Sequence, residues 1–150
     1  MDSSKINTFL FFKLPAAWWC GVRLQQIDQH RAVTRVRHRW FNQNPNGSMF
    51  WAVQGMAAEL STGVLVMQAI EDSKKGISML VANNKASFSK KAKGRITFSC
   101  EDGHLVGPAV ARTLESGEGQ TFWMRSVGKD ESGDIVSTFE FEWTIRARKK

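Results

Sequence analysis

Apolar residues run through this chain in two rhythms, one alternating and one continuous, and each predicts a different element. Near the C-terminus Phe139, Phe141, Trp143, Ile145 and Ala147 alternate with Glu140, Glu142, Thr144, Arg146 and Arg148. Successive side chains of a strand point to opposite faces, so this period of two predicts a strand over 135–148 with one greasy and one wet face. The same rhythm marks 95–101, with Ile96, Phe98 and Cys100 inward. It also marks 32–40, where Ala32, Thr34, Val36, His38 and Trp40 oppose Arg35, Arg37 and Arg39. Strands over 22–27 and 120–127 complete two hairpins, across DQHR and GKDESGD. A sixth strand spans 77–89, with a bulge or bend at Asn83-Asn84.

The continuous run is FWAVQGMAAELSTGVLVMQAI, residues 50–70, which predicts one long helix capped by Ser48 or Asn46. Its 21 residues would reach across a bilayer core, but a mid-run glutamate, two glutamines and two glycines exclude a lone membrane span. A helix apolar nearly all round must be covered on several sides. Shorter helices are expected from Ser3 or Ser4 to Lys13, from Pro15 to the stop at Gly21, and over 108–116. The first two carry Phe9, Leu10, Phe12, Trp18 and Trp19 and are expected to form an N-terminal helical lid over residues 1–20. The order of elements implies one α+β domain over 1–150. In it a curved antiparallel sheet of about six strands wraps the central helix.

One residue breaks the long apolar run. Glu59 is the only acid between Asp28 and Glu71. A carboxylate in apolar surroundings loses hydration, which raises its pKa and suits it to act as general base or nucleophile. Composition narrows the partners. Twenty-one Lys and Arg against 14 Asp and Glu give +7, favouring anionic ligands. Cys20 and Cys100 lack paired spacing and read as reduced thiols of a cytoplasmic protein. His30, His38 and His104 lack metal-ligand spacing, so no metal is expected. The apolar stretch 8–12 is short and Lys13 interrupts it, which argues against a secretory signal. No nucleic-acid-binding motif and no membrane insertion are expected.

The stretch around Glu59 also carries a resemblance. Many hotdog-fold thioesterases of the phenylacetyl-CoA and hydroxybenzoyl-CoA type have Asn or Gln, five residues, His-Gly-Gly, six residues, then Asp or Glu. Here Asn44 is followed by PNGSM, then Phe50-Trp51-Ala52, then VQGMAA, then Glu59. ASFSKKAKGRITFSCE resembles the strand–turn–strand that follows the helix in those enzymes, and the likeness covers roughly residues 15–148. More closely, NQNPNGSMFWAVQGMAAELSTG resembles an uncharacterised branch of that superfamily. The chain departs from the better-known enzymes where Phe50-Trp51-Ala52 replaces His-Gly-Gly.

The resemblance implies a hotdog fold and hydrolysis of an acyl thioester, with CoA part of the substrate and no separate cofactor. It gives Glu59 the base or nucleophile role and the Trp51 N–H the oxyanion contact. Asn44 would orient water or carbonyl, or else simply order the loop before Pro45. Thr62 would bond the Glu59 carboxylate or its own backbone. Phe50, Ala52 and Gly63 would line the substrate site, and Lys90, Lys91 and Lys93 would meet CoA phosphates. Eight residues, about 12 Å of helix, separate Trp51 from Glu59, too far for one helix to present both to one carbonyl. A homodimer or dimer of dimers is therefore expected. The alternative is a hotdog protein that binds acyl chains or acyl thioesters without turning them over.

Overall fold

The computed structural model describes residues 2–149. Its elements are α1 (Ser3–Lys13), α2 (Pro15–Trp19), β1 (Arg23–Ile27), β2 (Ala32–Arg37), α3 (Trp51–Ser73), β3 (Ile77–Phe88), β4 (Arg95–Cys100), α4 (Val106–Ser116), β5 (Gln120–Lys129) and β6 (Ile135–Ala147). The strands form one antiparallel sheet in the order β1-β2-β4-β5-β6-β3. The sheet curls around α3 without closing, which is the hotdog arrangement. Alternation decides which side chains meet the helix. Ile96, Phe98 and Cys100 of β4 and Phe139, Phe141, Trp143 and Ile145 of β6 are all buried. Strand β3 does carry an irregularity, but it is a register shift between Val81 and Asn83, just before the expected Asn83-Asn84, which pair with Glu142 and Phe141.

A helix without a polar side has no hydrophobic pattern to fix its rotation, so other contacts must do it. Four buried hydrogen bonds pin α3 to the sheet. Thr34 of β2 donates to the Ala57 carbonyl (2.6 Å), and Ser61 meets Ser126 of β5 hydroxyl to hydroxyl (2.7 Å). Ser137 of β6 donates to Gln54 Oε1 (2.7 Å), and the Trp143 indole N–H donates to Thr62 Oγ1 (2.9 Å). Unmet polar groups in a dry interior cost about 1–3 kcal/mol each, so rotating the helix would be penalised at every pin. These contacts leave Ala52, Gly55, Met56 and Glu59, spaced for one helical stripe, partly exposed.

Several local expectations are corrected. Strand β2 stops at Arg37, because the His38 N–H turns to the Gly94 carbonyl (2.8 Å) and Trp40–Asn42 forms a 3-10 turn. Asn42 drives this departure. Its buried amide donates to the Cys20 and Arg37 carbonyls (2.9 and 2.8 Å) and accepts from the Arg39 N–H (2.9 Å). Trp40 therefore leaves the inward face and is 82% exposed. Asp2, rather than Ser3 or Ser4, caps α1, and Phe50 stands at the α3 N-cap with no side-chain bond. Within the N-terminal segment Ile6, Leu10 and Ala17 are buried, whereas Phe12 and Trp19 point outward.

Two further packing features have consequences. Gly128 of β5 pairs with Phe98 of β4, and the Phe98 ring lies where a Gly128 side chain would stand. Gly128→Val should therefore destabilise the fold by about 1–3 kcal/mol through overpacking, read as a lowered denaturation midpoint. The thiols are both free. Burial pushes Cys100 up to about 12 and raises Cys20 as well, against the opposing pull of Arg39. Neither therefore holds thiolate at neutral pH.

Candidate functional site

The partly exposed stripe of α3 forms the floor of an apolar groove of about 450 Å³. Trp51, Ala52, Gly55, Met56 and Glu59 supply that floor. Leu14, Ala16 and Ala17 of the α2 segment wall one side, and Asn84, Phe139 and Phe141 of β3 and β6 the other. Pro15 at the first position of α2 sets the turn that brings this wall alongside, and the buried Ala17 fixes it.

Glu59 ends the groove. A Cβ placed on Gly63, one turn on, would stand 3.4 Å from Glu59 Oε1 and 3.2 Å from the Trp143 ring, so the missing side chain leaves room for the carboxylate beside the indole. Among the described residues the carboxylate accepts no hydrogen bond and meets no cation within salt-bridge distance. Burial alone raises its pKa above the ordinary glutamate value. A carboxylate lacking both compensations is poised to take a proton from something in the groove.

The other end of the groove is the α3 N-terminus, where the first N–H groups have no intrahelical partner. The Val53 N–H already reaches the Phe50 carbonyl (3.0 Å), but those of Trp51 and Ala52 meet no acceptor among the described residues. They are free donors at the positive end of the helix dipole, suited to an oxygen that gains negative charge.

The remaining sequence candidates divide. Asn44 lies outside the groove lining and is fully engaged in its own loop. Its Oδ1 accepts from the Asn46 and Ser48 N–H groups (2.9 and 3.1 Å), and its Nδ2 donates to Ser48 Oγ (2.9 Å). Of its two readings, loop ordering is the one seen. Thr62 donates to the Glu59 backbone carbonyl (2.9 Å), not to the carboxylate. Phe50 is 43% exposed and stacks edge-on with Trp51 outside the groove lining. The Lys90 ammonium is held by Asp130 (2.6 Å) and Asp134 (2.8 Å), which raise its pKa to about 12. Lys91 and Lys93 flank Ala92, whose carbonyl accepts the Met49 N–H (2.9 Å) beside the start of α3. Sequence reasoning missed Leu14, Ala16, Ala17, Asn84, Phe139 and Phe141 as groove walls. The sequence put Leu14, Ala16 and Ala17 in the N-terminal lid and Phe139 and Phe141 on the greasy face of the last strand, but tied none of them to the groove.

The model of the Domain of unknown function (DUF4442) family matches residues 3–145. The chain belongs to that family. No curated protein matches this DUF4442 member. Solved structures do. A protein of unknown function from Pseudomonas aeruginosa, described as "Probable Thioesterase", is similar at TM-score 0.82 and 20% identity, over 97% of this chain and 96% of that one. A protein of unknown function from Chlorobaculum tepidum is similar at TM-score 0.83 and 14% identity, over 97% and 94%. A thioesterase from Haemophilus influenzae reaches TM-score 0.74 at 9% identity, over 98% and 92%. At these identities the likeness establishes the hotdog fold of the DUF4442 member.

Proposed function

We propose that this protein is a thioester hydrolase acting on acyl-CoA or a related acyl thioester, with Glu59 as its base. The observation that carries the reading is a carboxylate with no partner, raised in pKa by burial, at the end of an apolar groove. The thioesterase descriptions of the Pseudomonas and Haemophilus relatives support the reaction class.

The acyl chain lies along Ala52, Gly55 and Met56 between the α2 wall and Phe139. Glu59 takes a proton from water as the water oxygen attacks the thioester carbon. The carbonyl oxygen becomes an oxyanion, held by a free N–H at a helix start. Collapse breaks the C–S bond, and the proton on Glu59 passes to the departing thiolate. Since eight residues of one helix span about 12 Å, the donating Trp51 N–H comes from a second copy of the chain. The working unit is then a dimer with two composite sites. Direct attack by Glu59, giving an acyl-enzyme that water resolves, uses the same atoms.

Hydrolysis assayed across acyl-CoAs of graded length, with released thiol as readout, tests the reading. No turnover of any member, together with saturable binding of the acyl-CoA, would leave an acyl-thioester-binding protein instead. The half-exposed Trp51 at the groove end is the observation that favours that second reading. Lys91 and Lys93, beside the helix start, are the remaining contacts for CoA phosphates. Reversing both to glutamate should raise KM about tenfold with kcat little changed, as expected on losing charge-assisted bonds made equally in ground and transition states. An unchanged KM would leave them as solubilising charges.

A further inference from the structure

Large aromatic side chains of the N-terminal helices and the Trp40–Asn42 turn are exposed to solvent, and none of them lines the groove. Phe12 is 70% exposed, Trp19 62%, Trp40 82% and Phe41 56%. Patches of this kind on a soluble fold mark an interaction surface.

The four residues are connected. Phe11, next to Phe12, packs edge-on against Trp18 (5.4 Å), and Trp19 follows at the end of α2. Arg39 donates to the Trp19 carbonyl (2.6 Å), and the Asn42 amide to that of Cys20 (2.9 Å). These bonds bring the Trp40–Asn42 turn up against α2. The Phe50 N–H donates to the Asn42 carbonyl (2.9 Å), which ties the turn to the start of α3. The patch is thus held on a braced scaffold, beside the α2 wall of the groove.

The segments that carry it are basic. Between Asp2 and Asp28, and again between Asp28 and Glu59, the sequence has no acid, while Lys13, Arg23, Arg37 and Arg39 lie in those segments. Arg23 stacks its guanidinium 3.4 Å over the Trp18 ring. Glu131 approaches from the β5–β6 turn but is engaged by the Arg95 N–H (2.8 Å) and lies 4.0 Å from Arg37. A second copy docked patch to patch would set cations against cations, with only Glu131, already engaged by Arg37 and the Arg95 N–H, as a carboxylate nearby. Tryptophan and phenylalanine rimmed by lysine and arginine instead match a bilayer surface. There aromatic rings settle at headgroup level and cations meet anionic lipid.

We propose that the Phe12–Trp19–Trp40–Phe41 face docks the protein on the surface of an anionic lipid bilayer. The contact is peripheral, and no described helix is long and apolar enough to cross a membrane. Docking would place the α2 wall of the groove toward the lipid, where long acyl groups partition. The docking itself does not rest on the hydrolase reading.

Co-sedimentation of the full chain with vesicles tests it, using phosphatidylcholine alone and phosphatidylcholine mixed with phosphatidylglycerol. The protein should pellet with the mixed vesicles, and added salt should release it. Brominated phosphatidylcholine in the mixed vesicles should quench tryptophan emission, a readout that needs no variant. Trp19→Ser combined with Trp40→Ser should weaken partitioning by roughly tenfold or more, since each indole buries a large apolar surface on docking. Trp123→Ser, on β5, should not. Hydrolysis of soluble short-chain acyl-CoA should be equal in the double variant and wild type, which separates this proposal from the function of the groove. A wild-type protein that stays in the supernatant, or a double variant that binds as wild type does, would overturn the docking. So would sedimentation showing a lipid-free assembly that the double variant dissolves, because the patch would then be an interface between copies.

Discussion

Glu59→Gln should reduce thioester hydrolysis by about 10²–10⁴-fold, the range typical for loss of a positioned general base. Glutamine keeps the shape of the side chain and cannot take the proton. The same substitution should make the protein more stable at neutral pH. Burial raises the folded-state pKa of Glu59 above its unfolded value, so ionising it costs more in the folded chain. The native state then binds more protons than the unfolded state between the two pKa values, and stability falls as pH rises through that window. Above it the full penalty applies, and Glu59→Gln removes it. Below the unfolded pKa, about 4.3 for a glutamate, both states are protonated and the difference between variant and wild type should vanish. Thermal melts of both proteins across pH check the sign, and the wild-type rate should fall with decreasing pH through the raised value. A variant that is inactive and also less stable at neutral pH would point to a structural carboxylate instead.

Mixing two inactive chains should restore activity if the site is shared between copies. Trp51 occupies the first position of α3, where proline is well accommodated, and Phe50 has φ −59° and ψ 134°, backbone suited to the residue before a proline. Trp51→Pro should therefore remove the N–H with the helix intact and lower kcat by about 10²–10³-fold, as for loss of one oxyanion donor. Mixed with Glu59→Gln chains under exchange, statistical pairing gives about half heterodimers. Each heterodimer has one intact site and one lacking both groups, so the mixture should recover about a quarter of wild-type turnover per chain. Sedimentation of wild type should show a dimer or a multiple of it. Activity of a strict monomer, or a mixture no better than its components, would refute the shared site.

Local pattern carried most of the fold. The alternation of Phe139 to Ile145 is visible in sequence because a strand buries every second residue, and the run 50–70 is visible because a wrapped helix needs no wet side. The pattern failed where a single side chain overrode it. Trp40 continues the period of β2, but the bonds made by Asn42 turn the chain before it, and no periodicity encodes a side chain reaching back to Cys20 and Arg37. Ser48 looked like a cap for α3, yet it is bound by Asn44 in the loop. For the site, Glu59 stood out as a charge with apolar neighbours, a local signal. The groove walls did not, since Leu14, Asn84 and Phe139 lie far apart in sequence and meet only through tertiary packing. The rotation of α3 was equally hidden, because it depends on Thr34, Ser126, Ser137 and Trp143 on other elements.

The strand order has a consequence for how the chain is made. The sheet neighbour of β3 is β6, the last strand in sequence, so β3 is complete about 46 residues before its partner begins. At roughly 5–20 residues per second this is about 2–9 s of synthesis. At the start of that interval α3, apolar on nearly every side, has only β1, β2 and the N-terminal helices to lie against; β4, α4 and β5 join during it, and β6 comes last. Its wrapping stays incomplete until β6 is made. The nascent chain therefore exposes a greasy helix and an unpaired strand edge together, the combination most prone to wrong association. Long-range closure of this kind is also slow once the chain is complete. Yield in a cell should accordingly depend on chaperone capacity and temperature during translation more than on the stability of the finished fold.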